Sequence, residues 1–433
     1  MTSLDADLNA PRSPSAAPNT AAAPTEQANP TRDAQEFLAK LPKGPPRVTL
    51  IIAAASVVIF GLQMLWGNGN AYGAASRMGA GSKVLVEHGQ VWRLLSVMLL
   101  HGSFLHLAFN MLALLSFGAF LEKFLGWRRY LILYVVSGLG GSALALLRSR
   151  EVMSVGASGG IWGLMVAGAV LVTWPRERLP AVISAAQRQR AWTPVLINGF
   201  YSFTPGIDWL AHLGGGLTGG ILVLTGLITA GIPLAAAAGD ATKPPLRETV
   251  AVRVFALLSG AALGLSILVA WARGHPWELQ QGPHLSRVEV GKGGFVEMPR
   301  LVGPSDINEK TRVWSFGGLD YDPVAFVMSF PSYELSEHEA AQPAELLKQS
   351  TAKLNGQDAG MKDFAVTTPF ALADNGGTPY LYSRRTAPDG RFADLYYFIL
   401  GRHMAYVMAI VSPKASDPWK DAAAKVPFTL TLP

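Results

Sequence analysis

Three short stretches put acid–base and nucleophilic side chains into otherwise apolar sequence: His101-Gly-Ser-Phe-Leu-His106-Leu-Ala-Phe-Asn110, Val155-Gly156-Ala157-Ser158-Gly159-Gly160, and Asp208-Trp209-Leu210-Ala211-His212-Leu213-Gly214-Gly215. A serine within hydrogen-bond reach of one histidine is the minimum set for an activated nucleophile, with the imidazole taking the hydroxyl proton and later returning it to a leaving amine. Ser158 and His212 are the candidates. His106 and Asn110 lie four apart and share a helix face, so both can donate toward one point. With the Ser158 backbone N–H they form a candidate oxyanion site, since a helix N-terminus favours developing negative charge. Each piece also has a plainer reading. Gly-x-Ser-Gly in a glycine-rich helix serves close packing, a lone buried histidine is commonly structural, and His101 can simply shape a loop. Gly215-x3-Gly219 reads as packing that lets its helix approach the one led by Ser158. Zinc held by His101, His106 and His212 would be short of a carboxylate, so neither a metal nor a cofactor is expected.

The elements that must position these residues are membrane spans. Half of the 433 residues are hydrophobic and only 15% are charged, well below the usual charged fraction of a water-soluble chain. Uncharged stretches run over Val48–Trp66, Gly102–Leu121, Tyr130–Leu147, Val152–Trp174, Ala191–Ile207, Trp209–Pro233 and Val254–Ala272. The first is about 28 Å long as a helix, close to the ~30 Å hydrocarbon core. Seven spanning helices are expected, the fifth the weakest because it is short and contains Pro194, Asn198 and Ser202. An inside N-terminus puts thirteen Lys/Arg on inner segments against six on outer ones. On that count the second, fourth and sixth spans all start at the outer face, and the three polar stretches meet there at similar depth. The expected place is the cell membrane of a bacterium. Trp92-Arg93 reads as an interfacial anchor.

Residues 1–47, rich in Pro, Ala, Asn and Thr, read as a disordered cytoplasmic tail without a secretory signal. Residues 48–233 form the core, 234–274 a cytoplasmic loop with the seventh span, and 285–433 an extracytoplasmic soluble α+β domain. That last part carries 15 Lys/Arg against 17 Asp/Glu, whereas residues 1–284 carry 21 against 13. The basic excess is topology rather than a nucleic-acid footprint. Strands are expected over Val324–Phe330, Tyr380–Ser383, Phe392–Leu400 and His403–Val411, the last two joined by a two-residue turn at Gly401-Arg402. Helices are expected over Glu334–Leu354 and Pro418–Lys425. Zero cysteines exclude a disulfide framework and a thiol nucleophile.

The motifs resemble those of the rhomboid intramembrane serine proteases: Trp92-Arg93, His101-x4-His106-x3-Asn110, Gly156-x-Ser158-Gly159, and Ala211-His212-x-x-Gly215-x3-Gly219. The resemblance covers about residues 48–228. It implies a rhomboid-like core of six transmembrane helices, here with a seventh. It implies Ser158 as nucleophile, His212 as base, and oxyanion contacts from His106 and Asn110; Gly156 and His101 are expected to support them. The family commonly has a tyrosine stacked on the histidine one turn after the serine, and Trp162 stands there instead. The implied substrates are single-spanning membrane proteins with a locally unstable helix and small residues near the scissile bond. The alternative is a catalytically silent relative that binds client proteins. A transporter would need inverted repeats and midplane polar sites, which the sequence lacks. The C-terminal domain, whose outline resembles PsbP-like α+β folds, would recruit substrate or a partner protein.

Overall fold

The computed structural model describes residues 42–147, 153–173, 185–229, 249–290, 293–303, 305–308, 313–318, 322–330, 334–355, 361 and 363–432. The expected tail up to residue 41 and residues 230–248, which include the start of the expected cytoplasmic loop, lie outside these residues. A helix lies in each of the seven uncharged stretches, though several fill only part of it. The first, α1 (Arg47–Trp66), starts on Glu122, whose carboxylate accepts from the Val48 and Thr49 amides and the Thr49 hydroxyl at 2.8–3.0 Å. The buried acid thus caps the unpaired amides of the helix and opposes its positive end.

The following segment is built rather than loose. It runs through α2 (Ala71–Met78), the two-residue strand β1 (Gly81–Ser82), α3 (Lys83–Glu87) and α4 (Arg93–Ser96). Arg93 is 2% exposed, and its guanidinium donates to the carbonyls of Ser76 and Ala80 at 2.7 and 2.9 Å. It therefore clamps backbone inside the protein instead of anchoring at an interface. The next long helix, α5 (Phe104–Leu125), contains one π turn at Leu114–Gly118. After it come α6 (Trp127–Ala145), β2 (Met153–Ser154), α7 (Ser158–Thr173), α8 (Ala185–Tyr201), α9 (Trp209–Leu224) and α10 (Val250–Gly274). Of these, α1, α5 and the helix that begins at Val250 are long and apolar enough to cross a membrane; α7 and α9 are shorter apolar helices. The uncharged run at 152–174 becomes helical only at Ser158 because β2 and Gly156, at φ +138°, occupy its start.

Glycine decides how α6, α7 and α9 meet. A side chain at Gly215 or Gly219 of α9 would overlap the backbone of Gly159 or Gly163 of α7. One at Gly214 would meet the Gly140 carbonyl of α6 at 2.5 Å. Backbone-to-backbone approach of this kind is the packing that small residues permit in membranes, and Gly215-x3-Gly219 does what its spacing predicts.

Beyond α10 a short helix, α11 (Glu278–Gln281), leads into sheet structure: β3 (Leu285–Val290), β4 (Gly294–Pro299), β5 (Ser305–Asn308), β6 (Val313–Phe316) and β7 (Val324–Ser329). Helices α12 (Glu337–Ala340) and α13 (Pro343–Asn355) follow, then β8 (Ala365–Asn375), β9 (Thr378–Thr386), β10 (Phe392–Leu400), β11 (His403–Val411) and α14 (Asp417–Lys425). Seven strands form an antiparallel sheet in the order β5-β6-β7-β11-β10-β9-β8, with β3–β4 a separate hairpin. Trp419 of α14 packs with Phe326 and Phe398, and Leu347 of α13 with Leu395 and Phe370. The β10–β11 pair closes Leu400 on His403 over Gly401-Arg402, with Gly401 at φ +60°, as the dipeptide predicts. The single helix expected over 334–354 is two, because Pro343 cannot continue the first and instead begins the second.

This C-terminal part grips α2 through one buried side chain. Arg77 is fully buried; it donates to the carbonyls of Gly274 and Arg300 at 2.7 and 2.8 Å and to Asp322 at 3.1 Å, and lies 4.8 Å over the Trp419 ring. Asp322 also accepts from the amides of Val302 and Gly303. Burial pushes its carboxyl pKa up, while Arg77 and those amides pull it back down.

Candidate active site

Ser158 is the first residue of α7, and Ser103 caps α5 by accepting from the His106 amide at 3.2 Å. Asp208 caps α9, accepting from the Ala211 amide at 3.1 Å, and its second oxygen accepts from the Ser154 hydroxyl at 2.7 Å. One carboxylate therefore ties the strand before Ser158 to the helix carrying His212. β2 is held in turn by β1, where Gly81 pairs with Ser154.

The three polar stretches converge. Contact between Gly159 and Gly215 joins α7 to α9 one residue beyond Ser158 and three beyond His212. A Cβ built on Gly156 would stand 3.0 Å from the His106 Nε2 and 3.6 Å from the Ser158 hydroxyl. The imidazole edge and the hydroxyl thus flank one Cα that only glycine supplies at this φ. Ser158, His106, His212 and Trp162 are half-buried, reachable yet shielded. Trp162 stacks on His212 at 5.2 Å between centroids and 22° between planes. Asn110 is buried and donates its amide to the His106 carbonyl at 2.8 Å. His101 is fully buried, its backbone paired both ways with the Gln63 amide, and its ring packs edge-on to His106 at 5.3 Å. Among the described residues no group of His, Cys, Asp or Glu is arranged to hold a metal.

Sequence reasoning missed Ser202, whose hydroxyl oxygen is 2.7 Å from the His212 Nδ1. The signal was available: Ser202 is one of two polar residues that weakened the fifth span, and polar groups in spans default to function.

The family model of the rhomboid domain matches residues 88–229, the stretch that holds His101, His106, Asn110, Ser158, Trp162, Ser202 and His212. The chain carries a rhomboid domain. It is 38% identical over 149 residues to RHOMBOID-like protein 5 of Arabidopsis thaliana, covering 33% of this chain and 46% of the relative. It is 40% identical over 141 residues to RHOMBOID-like protein 2 of the same plant, covering 32% and 42%. With the rhomboid protease GluP of Bacillus subtilis it shares 32% identity over 197 residues, 45% of this chain and 37% of GluP. The chain spans less than half the length of these curated relatives. It is an integral membrane protein with a polytopic helical rhomboid domain and a separate sheet-rich C-terminal region.

Proposed function

We propose that the protein is an intramembrane serine endopeptidase that cleaves transmembrane helices of single-spanning membrane proteins near the outer face of the bilayer. The observation that carries this reading is the convergence at the touching ends of α7 and α9. Ser158 leads one helix, His212 sits in the first turn of the other under the Trp162 ring, and His106 lies across Gly156. His212 takes the Ser158 proton as the hydroxyl attacks the scissile carbonyl. The oxyanion is met by the Ser158 amide, His106 and Asn110, the last giving up its bond to the His106 carbonyl. His212 then protonates the leaving amine, and water repeats the cycle on the acyl-enzyme. His101 and Gly156 support this wall of the site. The N-terminus lies in the cytoplasm of a bacterial cell, and the C-terminal region lies outside, on the Ser158 face. The contact of Arg77 with Asp322 supports that shared face, because α2 leads directly into β1, the partner of the strand before Ser158. There the C-terminal region recruits substrate or a partner protein.

The test incubates purified protein with a reporter transmembrane helix in detergent. Ser158→Ala and His212→Ala each abolish cleavage while folding is kept, and the double variant is no worse than either, since the pair acts as a unit. Equal cleavage by Ser158→Ala refutes the reading.

A further inference from the structure

We infer that Ser202 is a positioning residue that sets the tautomer and orientation of the His212 imidazole. The inference rests on the protease reading above. Ser202 directly follows α8, and only 5% of its surface is exposed. Its hydroxyl makes two short contacts, one to the Asn198 carbonyl at 2.8 Å and one to the His212 Nδ1 at 2.7 Å. A carbonyl oxygen only accepts, so the single hydroxyl proton belongs to Asn198. The contact to the ring is then Nδ1–H donating to the Ser202 oxygen. This leaves the Nε2 lone pair free, which is the form a base toward Ser158 needs.

Two restraints of different kind therefore act on one ring. Trp162 covers its face and limits tilt; Ser202 holds its edge and limits rotation about the Cβ–Cγ bond. Both come from the helix packing, because Gly199 of α8 lies where a Cβ would be only 3.7 Å from the Trp162 ring. When Ser158 gives its proton to Nε2, the ring becomes a cation whose Nδ1–H donates more strongly to the same oxygen. The Ser202 proton stays on its bond to Asn198 throughout, so the residue loses no proton. A neutral hydroxyl here fills the orienting place that a carboxylate fills in a Ser-His-Asp triad.

The experiment compares Ser202→Ala, Ser202→Cys and Ser202→Thr with wild type, measuring kcat and KM on the reporter helix, thermal stability, and Ser158 labelling by a fluorophosphonate. Alanine removes the acceptor, cysteine replaces it with a weak one of similar shape, and threonine keeps the hydroxyl. Expected is a fall in kcat of about 10- to 100-fold for alanine and cysteine, with KM and melting temperature unchanged, and a higher kcat for threonine than for either. Wild-type kcat in Ser202→Ala, a loss expressed in KM, or threonine no better than alanine overturns the inference while the protease reading stands. Wild type that neither labels nor cleaves overturns that reading, and this inference with it.

Discussion

Gly159 and Gly215 face each other across α7 and α9, yet only one of them should resist alanine. A methyl group at 215 projects into the Gly159 carbonyl, a backbone atom that no rotamer change can move away. At 159 the methyl projects along the groove and meets the Ala211 carbonyl at 3.4 Å and the Gly141 Cα at 3.5 Å, ordinary contact distances. Gly215→Ala must therefore part the two helices by on the order of 1 Å, and they carry Ser158 and His212 within one turn of the contact. Overpacking of this kind costs about 1–3 kcal/mol of stability, and a misplacement of about 1 Å costs about 10²-fold in rate. Gly159→Ala keeps the spacing and, at the second residue of α7, changes stability by less than the ~1 kcal/mol that separates glycine from alanine inside a helix. Cleavage of a reporter helix and thermal melting in the same detergent measure both. Gly215→Ala at wild-type rate, or an equal loss from the two variants, refutes the argument that backbone contact sets the distance between nucleophile and base.

How much of this was legible follows from the range of the interaction involved. Hydrophobic runs found the long helices of the membrane part but not the short α2, α3 and α4, and alternation with a Gly-Arg turn found β10 and β11 to the residue, because those signals are local. The convergence of Ser158, His106 and His212 was also readable, since three spans starting at one face is a matter of counting. Arg77 was not. Its partner Asp322 is 245 residues away, and its burial depends on a docked sheet that no local pattern announces. Arg93 was misread for a related reason, its guanidinium being spent on carbonyls 13 and 17 residues upstream in a segment that looked like plain loop. Ser202 shows the third case: its polarity was noticed as a defect of a span, and only the fold reveals the histidine edge it meets.

Trp162→Phe should keep most of the cleavage rate and Trp162→Ala should lose about tenfold, as an aromatic contact of about 0.5–1.5 kcal/mol predicts; an alanine variant at full rate removes the stacking from the mechanism. Asp389, exposed in the turn between β9 and β10, should, as Asp389→Cys, react with a membrane-impermeant maleimide in intact cells, and labelling only after lysis would put the C-terminal region in the cytoplasm. The last expectation concerns the grip on α2. Asp322→Ala leaves the fully buried Arg77 with Glu278, at 3.8 Å, as its nearest carboxylate. Removing one partner of a buried pair costs about 3–5 kcal/mol, whereas replacing both by apolar groups is often neutral. Asp322→Ala should therefore loosen residues 285–432 to limited proteolysis, and Arg77→Met combined with Asp322→Leu should restore resistance. Arg77 lies four residues before Gly81, which pairs with Ser154 just ahead of the nucleophile, so fluorophosphonate labelling of Ser158 should fall in the single variant and recover in the double. Labelling unchanged in Asp322→Ala, despite faster proteolysis, would mean that the C-terminal region is attached at this loop without bearing on the geometry of the site.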